Sequence, residues 1–214
     1  MHLAGSPTLY RMRWDRLFED LEGQLASEWE AERAALDAES ERLRISRLDL
    51  RSRLRALCTA EAQAVLTLSG RPRASVHLLA LGADWIAASE LPADGARAVQ
   101  SIRIIPLHAL LGIGVDHGML LASAEDRGEP ATDLRERMTL GFVLRGLARR
   151  RAPVRIRTVE GEELHGTIDR AGADHLDLAL HEAGQVRLAG SVSGFRIVPF
   201  EAVAEVQTAG SQLP

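Results

Sequence analysis

The chain has 214 residues, of which 46% are hydrophobic and 26% charged, so it is long enough for one large globular domain or two small ones. Its formal net charge of -4 excludes a global positive field that would attract nucleic acid. The single cysteine, Cys58, excludes an internal disulfide and a cysteine-rich zinc site.

The N-terminal segment lacks the continuous apolar core of a signal peptide, and residues 1–12 are predicted to be a tail. The most apolar stretch, residues 102–124, is interrupted by proline, histidine and aspartate, which is incompatible with a membrane span. We therefore expect a cytoplasmic protein with a reduced thiol and no membrane contact.

Residues 13–58 are predicted to form one long amphipathic helix. Its stripe has an apolar side chain at every seventh position, which places these side chains along one face. The stripe consists of Trp29, Leu36, Leu43, Leu50 and Leu57. The intervening seam positions are polar, for example Glu32 and Arg53. Two interpretations stay open, namely a helix that packs on the rest of the protein and a helix that binds a partner or a second copy.

The remainder of the chain contains an internal repeat. The tripeptide Gly-Ala-Asp at 82–84 recurs ninety residues later at 172–174. Further along, Arg-Ile-Ile-Pro at 103–106 is matched by Arg-Ile-Val-Pro at 196–199, an offset of 93. Matches that keep register on both sides of a loop indicate that one folding unit has been duplicated.

Each copy has short runs with period-two alternation, which is typical of half-buried strands. In the second copy the predicted strands read VRIRTV, ELHGTIDRA, HLDLAL, FRIVP and AEVQ, with one helical turn before the last. A helix followed by five short strands, and the run EGEELHGTIDRAGADHLDLAL, resemble the Sm-like group of small SH3-type barrels.

The resemblance implies a mostly β protein with α-helices, in which the long N-terminal helix precedes two tandem five-stranded barrels. The barrels would span residues 59–115 and 152–207. Asp177 stands where the group places an RNA-contacting asparagine, and IVPFEAV replaces its arginine-glycine pair. The resemblance therefore implies the fold, whereas the residues that form the RNA pocket of the group are replaced in this sequence.

Between the two copies, residues 116–132 are predicted to be a linker in which Glu129-Pro130 discourages helix. Thr132 or Asp133 can cap a helix over residues 133–151, which precedes the second barrel. Residues 208–214 are predicted to be a tail.

The densest basic feature follows this helix. It consists of Arg145, Arg149, Arg150, Arg151, Arg155 and Arg157. Guanidinium groups bind phosphate oxygens bidentately, so the cluster could hold an RNA backbone. The alternative is a helix end that neutralises its own dipole, followed by a strand with solvent-facing arginines.

The sequence gives only weak indications of a metal site or a catalytic nucleophile. His165 and His175 could meet across a hairpin, although exposed strand residues are the simpler interpretation. Cys58 is expected to be a small buried apolar side chain rather than a nucleophile. We expect a non-enzymatic binding or adaptor protein without cofactor or metal, whose partner is a protein or another copy of the chain. RNA or ribosome association is the second hypothesis, and an enzyme is the third.

Overall fold

The structure is a computed structural model of the chain. It describes residues 7–91, 101–125, 134–182 and 190–209. Parts of both predicted tails, and residues 126–132 of the predicted linker, lie outside the described residues. The described chain separates into two compact units, residues 1–48 and residues 49–214.

The described residues of the first unit form a helix, α1, over Pro7–Arg47. The heptad stripe predicts one helix through residue 58, but a second helix, α2, begins at Leu50 and ends at Thr59. Asp49 causes this interruption, because its backbone is extended and its carboxylate accepts a hydrogen bond from the Ser52 amide at 2.6 Å. Aspartate at such a position starts a helix instead of continuing one.

The second unit contains ten strands and three helices within its described residues. The strands that follow α2 are β1 (Gln63–Leu68), β2 (Arg71–Leu81), β3 (Trp85–Glu90), β4 (Ser101–Pro106) and β5 (Leu110–Gly114). A 3-10 turn, Leu107–Ala109, joins β4 to β5, and a short helix, α3 (His117–Ala122), follows β5. Another 3-10 turn, Leu134–Arg137, precedes helix α4 (Leu140–Arg150).

The strands after α4 are β6 (Pro153–Thr158), β7 (Glu163–Ala171), β8 (His175–Leu180), β9 (Gly194–Pro199) and β10 (Val203–Ala209). A 3-10 turn, Phe200–Ala202, separates β9 from β10. Helix α4 begins ninety residues after α2, and β9 begins 93 residues after β4. The secondary structure therefore recurs with the register that the sequence predicts. We call residues 50–114 repeat 1 and residues 140–209 repeat 2.

All ten strands belong to one antiparallel sheet with the order β5-β1-β2-β3-β4-β10-β6-β7-β8-β9. The sequence predicts a long N-terminal helix followed along the chain by β-strands and further helices, and this prediction is confirmed. The sheet is open, with β5 and β9 at its edges, and two closed five-stranded barrels stay a prediction. Within each repeat the last strand pairs with the first, and β4 and β10 join the repeats.

Two buried clusters form the core of the described part of the second unit. One belongs to repeat 1 and includes Leu54 and Leu66. The other is built around Leu144 and Ile156 of repeat 2, and it also takes in Trp85, Ile102 and Ile104 from repeat 1. Because β3 and β4 supply side chains to the core of repeat 2, the two repeats share buried apolar surface, which is the main source of stability in such a unit.

Candidate functional site at the junction and the free edges

The two repeats meet where β4 pairs with β10. Val206 lies opposite Ile104, Gln207 opposite Arg103, and Thr208 opposite Ile102. The Ile102 and Ile104 side chains are only 2% and 0% exposed. The sheet therefore continues from one repeat into the other, and the apolar side chains on one of its faces are buried at this point.

A buried ion-pair network lies at this junction. The Arg103 guanidinium donates to the carboxylates of Glu205 on β10 and Glu90 on β3. Arg71 Nη1, at the start of β2, donates to Glu205 Oε2 at 2.6 Å. Arg103 and Glu205 are 4% and 3% exposed, so both charges have been removed from water.

Burial dominates the electrostatics of this carboxylate. It raises the pKa of Glu205 above the usual value for glutamate, while the positive charge and hydrogen bond of Arg71 oppose that shift. The Arg103 Nε atom is buried and has no hydrogen-bond partner among the described residues. The network therefore carries an unsatisfied donor, which is unusual for a buried polar group.

A cavity of about 40 Å³ opens beside this network. Its lining consists of Arg71, Arg103, Arg155, Arg157, Glu205 and Gln207. The lining comes from the first repeat and from the second, so the cavity exists only because the repeats are joined.

A second set of contacts links the β2–β3 turn of repeat 1 to the segment before α4. The Ala83 amide and the Trp85 indole Nε1 both donate to the Met138 carbonyl, each at 2.8 Å. The Asp84 carboxylate accepts from the Leu140 amide at 2.6 Å. An anionic acceptor at the first amides of a helix also interacts favourably with the helix dipole.

Two arginines of α2 reinforce the same contact. Arg51 Nη1 donates to the carbonyls of Gly82 and Ala83 at 2.6 and 2.8 Å. Arg55 forms a bidentate ion pair with Glu136, whose side chain is 11% exposed. The turn, the helix and the segment before α4 are therefore held as one polar cluster.

The tight turns of the two repeats also touch. Gly70 and Gly161 have φ angles of +65° and +92°, which favour glycine. A Cβ atom on Gly70 would lie 2.4 Å from the Gly161 backbone nitrogen. Both turns need glycine because the two backbones approach closely at the junction.

The two edge strands, β9 and β5, carry exposed apolar side chains, unlike the strands at the junction. At the offset of 93, Phe195 and Ile197 on β9 correspond to Ile102 and Ile104 on β4. Phe195 and Ile197 are 71% and 69% exposed. At the opposite edge Leu111 on β5 is 67% exposed. The β4 positions that are buried at the junction therefore have equivalents on β9 whose apolar side chains are exposed.

The predicted arginine cluster is divided by the structure into three pairs. Arg155 and Arg157 lie on β6 and line the junction cavity. Arg149 and Arg150 are exposed at the end of α4, where no ion pair is formed with the described part of the chain. Each of the remaining two contacts repeat 2 itself. Arg145 Nη1 donates to the Gly172 carbonyl at 3.0 Å, and Arg151 Nη1 pairs with Asp169 at 2.5 Å.

The predicted leucine stripe is also divided. Trp29, Leu36 and Leu43 lie on α1 with exposed side chains. Leu50 is exposed at the start of α2, whereas Leu57 is buried in the core of repeat 1. The five residues therefore lie on two separate helices, and their role as a partner surface stays a prediction.

The structure places the other candidate side chains as follows. His165 lies opposite Arg155, whereas His175 lies at the far end of β8 opposite Pro199, so the two histidines do not meet. Burial raises the pKa of the Cys58 thiol to about 12. Among the described residues, no group of three or more histidine, cysteine or acidic side chains is placed to hold a metal ion.

The sequence reasoning missed the junction residues Arg71, Arg103 and Glu205. One signal was present, because Arg103 and Glu205 are each the single charged residue of their strands, SIRIIP and VAEVQTA. A charged side chain between buried neighbours needs a partner of opposite sign. The two residues could have been matched on that ground.

Comparisons with protein-family models, with curated proteins and with solved structures find no match to this chain. In the described residues, no helix has both the length and the apolar character needed to cross a bilayer.

Proposed function

We propose that the chain is a non-enzymatic assembly and adaptor protein whose copies bind end to end, the β9 edge of one copy to the β5 edge of the next. The observation that carries this proposal is the contrast between Ile102 and Ile104, which the internal junction buries, and their equivalents Phe195 and Ile197, which are exposed. An open strand edge with apolar side chains is a template for pairing with another chain.

The internal junction supplies a register for the proposed contact. Val206 of β10 pairs with Ile104 of β4, and Gln207 with Arg103. At the offset of 93 residues this pairing corresponds to Ile113 opposite Ile197, and Gly114 opposite Arg196. The contact would be heterologous, since different surfaces meet, and repetition of such a contact gives a ring or an open filament.

The proposed contact would be weaker than the internal junction. Gly112 occupies the place of Glu205, and Glu201 the place of His108, whose ring bonds the Val203 carbonyl at 3.0 Å. On β8, His175 and Asp177 are polar at the places of Trp85 and Ala87. These differences confine the contact to the strand edges and favour reversible association.

We also propose, as the sequence resemblance implies, that each repeat is a small Sm-like barrel. The shared strand order supports this assignment, because in each repeat the fifth strand pairs with the first. The repeated helix, α2 or α4, packs against the second strand of its own repeat and closes one side of the core.

Blocking either edge with charge is expected to abolish self-association. Sedimentation velocity over a concentration series should show wild-type protein associating, while Phe195→Lys/Ile197→Lys and Leu111→Lys stay monomeric. An equimolar mixture of these two variants should form dimers and nothing larger, because each retains one functional edge. Exposed side chains tolerate such changes with little loss of stability.

The matched control is Leu121→Lys/Phe142→Lys, which charges two exposed apolar positions on helices α3 and α4 and should associate as wild type does. Monomeric wild-type protein at all concentrations would contradict the proposal. If the edge variants still associate, the exposed face of α1 becomes the interface, and deletion of residues 1–47 should then abolish association.

RNA binding is a second proposed function, supported by Arg149 and Arg150, which are exposed and without ion pairs to described residues. Binding of a single-stranded oligoribonucleotide would weaken steeply with salt, because arginines release counterions from phosphates. It should be lost in Arg149→Glu/Arg150→Glu/Arg151→Glu, as measured by fluorescence anisotropy. Unchanged affinity in this variant would remove the second function.

A further inference from the structure

The polar side of the junction carries more charge than strand pairing requires. Across β4, β10 and β6, Gln207 lies between Arg103 and Arg155, and Glu205 lies opposite Arg157. These side chains alternate along their strands with buried Ile104, Val206 and Ile156 of the core. They therefore form a polar row on the opposite face of the sheet.

Repeat 1 contains the equivalent strand pair, β1 with β5, and that pair lacks these charges. In repeat 1, Val65 lies opposite Gly114 and Thr67 opposite Gly112. These pairs correspond to Arg155 with Gln207 and Arg157 with Glu205. Uncharged residues are thus sufficient for the pairing, and burial of the Glu205 carboxylate, which is 3% exposed, costs stability. The charges need an explanation besides the fold.

The charges around the cavity do not cancel. Four arginines line it, and one carboxylate, that of Glu205, stands among them. Beyond the lining, Glu90 pairs with Arg103 and Arg71, and Glu163 pairs with Arg157. Even with these two carboxylates included, one positive charge remains. Arg155 has no ion pair with the described part of the chain.

The cavity has room for one small polar ligand. Its volume of about 40 Å³ is several times the ~10–15 Å³ that one ordered water needs. Arg103, which lines the cavity, is 4% exposed, and its Nε atom lacks a hydrogen-bond partner among the described residues. Guanidinium groups converging on a small space recognise the oxygens of a tetrahedral anion bidentately.

We infer that the junction cavity binds one phosphoryl oxyanion, held by Arg71, Arg155 and Arg157 with Arg103 beneath it. The anion neutralises the excess positive charge and ties β2 of repeat 1 to β6 of repeat 2. The proposed end-to-end contact could not form a second site of this kind, because Val65, Thr67 and Gly112 stand at the places of Arg155, Arg157 and Glu205. The site is independent of the proposed self-association.

Inorganic phosphate is the first probe, and thermal unfolding of the full chain at constant pH and ionic strength is the readout. Phosphate should raise the Tm of wild-type protein, saturating with concentration, while equivalent chloride does not. Arg155→Gln/Arg157→Gln should weaken this binding at least tenfold. The matched control, Arg149→Gln/Arg150→Gln, removes the same charge from the end of α4 and should bind phosphate as wild type does.

Glu205→Gln is the second variant, since it removes the competing negative charge while it keeps the size of the side chain. It should bind phosphate more tightly than wild type and regain stability when phosphate is added. A short oligoribonucleotide then distinguishes the source of the oxyanion. Displacement of phosphate by the oligonucleotide identifies a nucleic-acid backbone, and binding of phosphate alone identifies the free anion.

The inference is overturned if phosphate has no saturable effect on the wild-type Tm beyond that of chloride. It is equally overturned if the two double variants weaken phosphate binding to the same extent, because the effect would then be one of net charge.

Discussion

Replacing Glu205 with alanine is expected to lower the free energy of unfolding by about 3–5 kcal/mol, because the change leaves a buried charge without its partner. Arg103 is 4% exposed, and with Glu205 absent its remaining acidic contact is Glu90, whose side chain is 49% exposed. Urea denaturation followed by circular dichroism measures the loss.

The repeat provides the control for this prediction. Arg196 is the equivalent of Arg103 at the offset of 93, and it pairs with Glu162 at the surface, where both side chains are nearly half exposed. Exposed ion pairs contribute little to stability. Glu162→Ala should therefore leave the urea midpoint unchanged. Equal losses in Glu205→Ala and Glu162→Ala would show that burial does not decide the effect.

A double variant separates the charge from the packing. Arg103→Met/Glu205→Leu removes both charges and retains apolar volume, so it should recover most of the stability that Glu205→Ala loses. If the double variant is as unstable as the single one, the ion pair itself stabilises the junction, and the cost of its desolvation has been overestimated.

The sequence was informative wherever the structure depends on local periodicity. The strands VRIRTV and HLDLAL correspond to β6 and β8, and the offsets of 90 and 93 recur in the helices and strands. Alternating burial follows directly from the two-residue period of a strand, so these elements are visible without tertiary information.

The heptad spacing was misleading at Asp49, where a helix-capping residue interrupts the predicted helix. The seven-residue spacing continues from Leu43 through Leu50 to Leu57, but Asp49 caps a new helix between them. One side-chain hydrogen bond to the Ser52 amide is enough to interrupt the stripe. A heptad pattern alone does not report such a break.

The junction itself could not be predicted from local patterns. Arg103 and Glu205 are separated by 102 positions, and they meet only because β4 of repeat 1 pairs with β10 of repeat 2. The arginine cluster was assembled by proximity in sequence, which groups Arg149 with Arg155. The structure groups Arg155 with Arg71 instead, because strand pairing and not chain distance determines which side chains meet.

Trp85 connects repeat 1 to the segment before α4 through a hydrogen bond to the Met138 carbonyl. Trp85→Ala should lower the free energy of unfolding by about 3–5 kcal/mol, since it removes a large buried side chain and leaves a cavity. The indole is 1% exposed and packs in the core of repeat 2, and its Nε1 donates to the Met138 carbonyl at 2.8 Å. Equilibrium urea denaturation measures the loss.

His175 is the natural control, because it occupies the same place in repeat 2 at the offset of 90 and its side chain is 46% exposed. His175→Ala should change stability little, since its ring pairs only with the exposed carboxylate of Asp174 among the described residues. Trp85→Phe should lie between the two, because it retains an aromatic ring but leaves the Met138 carbonyl without the indole donor. A loss in His175→Ala as large as that in Trp85→Ala would mean that the turn stabilises its own repeat, and that the contact between the repeats contributes little.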